Sequence, residues 1–241
     1  MLKQDTLWEG GYSFYFDDGL FQPSTDSFVL SAFPKLKSGE KVCDLGCGSG
    51  LLGLLLLARE NRLHITGVDI QQEPLALARR AAEENGLAEK LTFLQSDLRH
   101  LKGVLEANSF DLVVSNPPYF RAGSGYAASG VSRQTAREEN TCTIEDVCAA
   151  AARLLRFGGR FAVVFRPERM ADLFCAMRNV KLEPKTLRFV HHRPDSTPSL
   201  ILVEGKLGGK SGLTIAPPLI LHDAEGNSGE EMNEIYFRTR S

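Results

Sequence analysis

The sequence predicts an α/β fold, doubly wound around a mostly parallel sheet of seven strands. Three observations carry that expectation. Short apolar runs alternate with longer amphipathic ones from Lys41 to Asn179, the order in which parallel strands and their covering helices follow one another. The first run, Val42 to Leu45, ends in a tight glycine turn, Gly46-Cys47-Gly48-Ser49-Gly50, and passes straight into an apolar helix over Leu51 to Ala58. The fourth, Phe110 to Ser115, is almost continuously apolar, as a strand covered on both faces must be.

Taken in order, residues 1–25 are aromatic-rich and irregular, with Ser24-Thr25-Asp26 placed to cap the helix-like SFVLSAF that follows. They are expected to form an arm or lid, residues 1–30, ahead of a main domain over 31–241. His64 to Ile70 is a second strand ending in Asp69. Pro74 then opens an amphipathic helix that Gly86 closes. Leu91 to Gln95 is a third strand and leads to Ser96-Asp97-Leu98. Thr143 to Phe157 reads as a helix closed by Gly158-Gly159, Arg160 to Phe165 as a fifth strand, and Glu168 to Asn179 as a helix. Thr186 to His191 and Ser199 to Gly205 read as a late strand pair joined by HHRPDSTP. The tail carries apolar pairs around Pro217-Pro218 and a short last segment, EEMNEIYF. No internal repeat is visible.

Composition excludes several classes. No apolar run reaches the ~18 residues of a membrane span. The start, MLKQDTLWEGGYSF, lacks a basic start followed by an apolar core, so it does not read as a secretory signal. Five cysteines at irregular spacing point to a reduced, cytoplasmic protein, and no cysteine–histidine spacing suggests a metal. A net charge of −2 means that any nucleic-acid contact must rest on a local basic patch.

The glycine turn is a cofactor cradle: glycines take positive φ and let a ligand approach the backbone, and the helix behind it offers free N–H groups. Two motifs share its letters. Gly48-Ser49-Gly50-Leu51-Leu52-Gly53 matches the dinucleotide fingerprint, with an acid further on at Asp69. The longer match, Asp44-x-Gly46-x-Gly48-x-Gly50, resembles the first motif of the class I S-adenosylmethionine-dependent methyltransferases, with their Rossmann-like sheet. A carboxylate beside the turn suits a cationic sulfonium ligand better than a pyrophosphate. An acid at the end of the second strand, Asp69, suits two ribose hydroxyls, and Asp97 with Leu98 suits an adenine. The resemblance implies S-adenosylmethionine held by Thr25, Asp26, Asp44, Gly46, Cys47, Gly48, Gly50, Asp69, Ile70, Ser96, Asp97, Leu98 and Asn116.

The fourth strand ends in Asn116-Pro117-Pro118-Tyr119. The prolines fix the backbone and remove donors, so an asparagine oxygen and a proline carbonyl can accept both hydrogens of a planar amino group. Tyr119 offers a face on which a base can stack. With the glycine motif, this tetrapeptide resembles that of the methyltransferases that modify planar amines. The likeness extends, over LFQPSTDSFVLSAF, SNPPYF, SRQTAREE and the final NEIY, to the bacterial tRNA adenine-N6 methyltransferases, which act on the adenine 3′ of the anticodon in a valine tRNA. It implies Asn116, Pro117, Pro118 and Tyr119 as catalytic residues and a tRNA substrate taken by a monomer without membrane or metal. Arg121, Arg133, Arg137, His192 and Arg193 become candidates for contacts to RNA. The acid-rich HDAEGNSGEEM argues against an RNA role after about Ala224. Two rivals keep the chemistry and change the substrate: N5-methylation of a protein glutamine, for which the N-terminal arm is short, and N2-methylation of guanine in ribosomal RNA.

Overall fold

The computed structural model describes residues 1–17, 23–117 and 142–240. Its elements in chain order begin with strands β1 (Leu2–Thr6) and β2 (Ser13–Asp17), helix α1 (Thr25–Ala32), β3 (Lys41–Leu45), α2 (Leu51–Arg59) and β4 (His64–Asp69). Next come α3 (Gln72–Glu84), β5 (Leu91–Gln95), β6 (Phe110–Ser115), α4 (Ile144–Leu154) and β7 (Leu155–Phe165). The chain ends with α5 (Met170–Asn179), β8 (Leu182–His191), β9 (Pro198–Leu207), the two-residue strands β10 (Thr214–Ile215) and β11 (Leu219–Ile220), and α6 (Glu230–Ile235).

The sheet runs β5-β4-β3-β6-β7-β9-β8, with β10 and β11 both on the outer edge of β8. β3 through β7 pair in parallel, and β9 is antiparallel to both of its neighbours. The mostly parallel, doubly wound sheet is thus as the alternation predicts, with nine strands in place of seven. The two additions flank Pro217-Pro218, and apolar runs so short carry no periodicity to read.

Alternation along the strands divides the core into two layers. Val42, Leu112, Val114, Ala162, Val164 and Leu202 face α1, α2 and α6. Cys43, Leu45, Val113, Phe161, Val163 and Ile201 face α4 and α5. With strand directions shared, the carboxyl ends of β3, β4, β5 and β6 all open on one edge, where sheets of this kind bind ligands.

Several expectations are corrected. The N-terminal region is a hairpin, Leu2 opposite Asp17 through Thr6 opposite Ser13. It braces α3: Asn85 exchanges two hydrogen bonds with the Ser13 backbone, the Tyr15 hydroxyl bonds Glu84, and the Arg80 guanidinium lies 4.2 Å over the Tyr15 ring. Ser24 does occupy the cap of α1 in an extended conformation, but its side chain makes no capping bond. The helix before β7 stops at Leu154, and β7 begins at once. Gly158-Gly159 belongs to a bulge within β7: Phe110 pairs with Leu155 but Leu112 pairs with Arg160, so three extra residues loop out of register. Thr143 does cap α4, in a reciprocal box with Asp146. The helix expected from Glu168 starts at Met170 after a 3₁₀ turn, Pro167–Arg169; of the late strand pair, β8 starts earlier than the sequence suggests and ends at His191 as expected, and β9 is longer at both ends.

Candidate active site at the carboxyl ends of the central strands

The glycine turn is laid across the end of β4. Gly46 and Cys47 both donate to the Val68 carbonyl, at 2.8 and 3.1 Å, and Gly50 donates to Cys47 at 2.9 Å. Gly46, Gly48 and Gly50 take φ of 77°, 51° and 76°, a region that strains any other residue. Gly46 is exposed, and a Cβ there would meet nothing within 4 Å, so its free side faces open space. Gly50 is glycine for a second reason, since a Cβ would come within 2.8 Å of the Phe93 ring.

Asp44 lies under this turn, in register with Gly67 of β4 on one side and Val114 of β6 on the other. It is 1% exposed, and its Oδ2 has no hydrogen-bond partner among the described residues. Burial, with the Asp69 charge second, pushes its carboxyl up to about 8. An orphaned, buried acceptor next to open space is the environment that a cationic group would relieve. Gly67 permits this packing, because a Cβ there would stand 2.7 Å from Cys47 Sγ and from Phe93. The sequence signal was a lone glycine inside a strand, which marks a close approach of another group.

Asp69 is half-buried and oriented by two backbone donors, Gly48 to one oxygen at 2.8 Å and Gln71 to the other at 2.9 Å. Each oxygen keeps further acceptor capacity. Ile70 beside it is 59% exposed, an apolar surface at the strand end. Ser96 donates its N–H to the Asp69 carbonyl, tying β5 to this edge. Asp97 is differently placed from the free acceptor expected. It caps the 3₁₀ turn Leu98–His100, and Arg99 binds its carboxylate through Nε, Nη2 and backbone N–H, holding it down to about 2.

Asn116 follows β6 directly. Its Nδ2 donates to Ser27 Oγ of α1 at 3.3 Å, and Pro117 behind it is buried. Ser115 Oγ donates to the Leu45 carbonyl at 2.7 Å and fastens the end of β6 to the end of β3. The first turn of α1 brings Thr25 to the same region, where Thr25 Oγ1 accepts from the Tyr236 hydroxyl at 3.0 Å. Sequence reasoning missed Ser27, Ser115 and Tyr236. Pro118, Tyr119, Arg121, Arg133 and Arg137 lie outside the described residues.

His192 and Arg193 are exposed in the turn between β8 and β9, which Ser196 closes through bonds to Arg193 and His191. β8 runs in the direction of β6, so this turn lies on the same edge as Asn116. It stands three strand spacings away, roughly 14 Å. Arg166 sits nearer, just past the end of β7, and donates to the Ser199 carbonyl.

A methyltransferase-domain family model matches residues 36–201, a span holding the glycine turn, the three strand-end aspartates and Asn116-Pro117. The chain belongs to that family. This methyltransferase is 28% identical over 227 residues to the tRNA1(Val) (adenine(37)-N6)-methyltransferase of Porphyromonas gingivalis, covering 89% of this chain and 88% of that one. The Yersinia pestis protein of the same name is 31% identical over 172 residues, covering 69% and 68%. In fold it resembles a crystal structure described as a predicted O-methyltransferase from Agrobacterium tumefaciens, with a TM-score of 0.74 at 22% identity over 88% of this chain and 96% of the other. The cofactor of the methyltransferase is S-adenosylmethionine, and the residues at the strand ends fit it. Asp44 is a buried carboxylate with an orphaned oxygen, open space lies over Gly46, and Asp69 with Ile70 combines acceptor capacity with an exposed apolar surface, a set that would suit a cationic nucleoside. Among the described residues no helix is long and apolar enough to cross a membrane.

Proposed function

We propose that the chain methylates the N6 amine of an adenine in tRNA, the base 3′ of the anticodon in a valine tRNA. One observation carries the reading. Asn116-Pro117 stands at the end of β6, two residues past the partner of Asp44, so an amide-and-carbonyl pair faces the edge where the cofactor cradle opens. Relatives that this chain resembles over two thirds or more of their length carry that activity in their names.

When bound, S-adenosylmethionine supplies an electrophilic methyl group. The chain supplies the rest. The exocyclic amine is a weak nucleophile because its lone pair is shared with the ring. The Asn116 amide oxygen and the Pro117 carbonyl accept its two hydrogens and favour a pyramidal nitrogen, as fixed dipoles aimed at positive charge that develops there. Alignment of amine and donor provides much of the remaining acceleration. The nitrogen then loses its proton readily, so no strong general base is assigned. Tyr119 stacks on the extruded base, a contact worth about 1–3 kcal/mol. Arg121, Arg133, Arg137, His192 and Arg193 contact the RNA backbone. Residues 1–30 act as an arm whose hairpin braces α3 and whose helix α1 walls one side of the site. The protein works as a monomer in the cytoplasm.

Incubation with radiolabelled S-adenosylmethionine and either unmodified tRNA or a protein extract tests the reading. Label is expected in tRNA, at one adenine on digestion. Label confined to protein would overturn the assignment.

A further inference from the structure

An asparagine that catalyses by accepting hydrogen bonds must be held with its oxygen toward the substrate, and its shape alone does not ensure this. The two ends of the amide are nearly the same size, yet one accepts and the other donates. Among the described residues the donating end meets Ser27, whose Oγ lies 3.3 Å from Asn116 Nδ2. Ser27 is 3% exposed, in a stretch of α1 buried from Ser27 through Ser31. A hydroxyl at such a position costs stability unless it is bonded, so its presence needs a reason beyond packing.

The helix that carries Ser27 is pinned from the far end of the sequence. The Tyr236 hydroxyl donates to Thr25, and its ring stacks on Phe28 at 4.4 Å and 13°. One turn beyond Ser27, Ser31 Oγ accepts from Arg59 Nε at 3.0 Å, and the same guanidinium donates to the Ile235 carbonyl at 2.8 Å. Both ends of α1 are thereby fixed against the segment 233–237, and with them the hydroxyl that faces Asn116.

We propose that Ser27 is a positioning residue for methyl transfer: it anchors the donating end of the Asn116 amide, on a helix that the segment 233–237 holds in place. The inference rests on the role given to Asn116 above. Ser27 touches neither the donor nor the base; it acts through residue 116.

The test is single-turnover methylation of unmodified tRNA by the full-length chain, with donor affinity measured by calorimetry and melting temperature recorded alongside. Ser27→Ala is expected to slow transfer about five- to tenfold, the scale of one hydrogen bond, with donor affinity within twofold of the parent. Ser27→Thr, which keeps the hydroxyl, is expected to restore most of the rate. Should Ser27→Ala melt far below the parent, Ser27→Cys keeps the volume and is expected to show the same slowing. Equal losses in the Ala and Thr variants, or a loss confined to donor affinity, would overturn the proposal. Asn116→Ala separates the two claims. Full activity there removes the catalytic reading itself, whereas an inactive Asn116→Ala beside a fully active Ser27→Ala removes the inference about Ser27 alone.

Discussion

Asp44→Asn is the most informative single change, because it separates what the carboxylate does for the fold from what it does for the ligand. Burial and the Asp69 charge hold the Asp44 carboxyl at about 8, against an ordinary 3.8. A carboxyl raised on folding binds its proton more tightly in the native chain than in the unfolded one. Its contribution to stability is therefore complete below about pH 4 and is lost as pH climbs towards 8. Within that window the loss runs at about 1.4 kcal/mol per pH unit, which reaches about 4 kcal/mol by pH 7. Local relaxation and water entry reduce this, so we expect the asparagine variant, free of S-adenosylmethionine, to be about 2–4 kcal/mol more stable than the parent at pH 7. The gap should close as pH falls towards 4.5. Urea unfolding at one-unit pH steps measures it. In the same protein, affinity for S-adenosylmethionine should drop at least a hundredfold, because a cation loses its counter-charge. For the parent, donor binding should strengthen with pH up to about 8 and release a proton, seen as a binding enthalpy that changes with the ionisation enthalpy of the buffer. A stability gap that is flat across pH would refute the reasoning, since Asp44 would then be ionised at no cost in the folded chain.

Three further outcomes follow from the site. Asn116→Ala should abolish transfer while donor affinity, read by calorimetry, stays within about threefold, because its amide acts on the incoming amine; loss of donor binding would contradict that role. Asp69→Ala should do the reverse, weakening donor affinity about tenfold or more through lost ribose acceptors, and unchanged affinity would remove Asp69 from the ribose. Gly67→Ala should destabilise the chain by about 1–3 kcal/mol through overpacking, because its Cβ would stand 2.7 Å from both Cys47 Sγ and Phe93. A melting temperature equal to that of the parent would show that these neighbours yield freely.

What the sequence made legible was what local chemistry dictates. Lys41 to Gly50 could be read because an apolar run ending in alternating glycines has few conformations open to it, and the positive φ values follow from residue type. The hairpin was not legible, because the exposed LKQDT has one apolar residue and no alternation and is a strand only through pairing with Ser13–Asp17. Gly158-Gly159 misled for the opposite reason. A glycine pair after a helix usually stops it, and only the pairing of β7 with β6 turns the pair into a bulge. The supporting residues of the site were hidden by distance along the chain. Ser27 meets a partner 89 residues on, Ser115 one 70 residues back, and Tyr236 one 211 residues back. No local pattern encodes such pairs; they exist once the sheet has ordered the strand ends.

The three aspartates at neighbouring strand ends show how one residue type is given different tasks by its surroundings. Asp44 and Asp69 lie in the last residues of β3 and β4, and Asp97 follows β5, all on one edge of the sheet. Asp97 is neutralised by the Arg99 guanidinium, sits at about 2, and has little charge left to offer a ligand. It also holds the 3₁₀ turn. Asp69 is steered by two backbone N–H groups, one to each oxygen, and keeps acceptor capacity on both. Asp44 alone is buried with an unpartnered oxygen. Where two acids stand close, ionising one raises the cost of ionising the other. The pair Asp44 and Asp69 therefore concentrates an unmet demand for positive charge at Asp44, beneath the open side of Gly46. A ligand that is cationic at one end and carries a ribose at the other satisfies both demands, and a pyrophosphate satisfies neither. That distinction is drawn by environment and is invisible in the letter D.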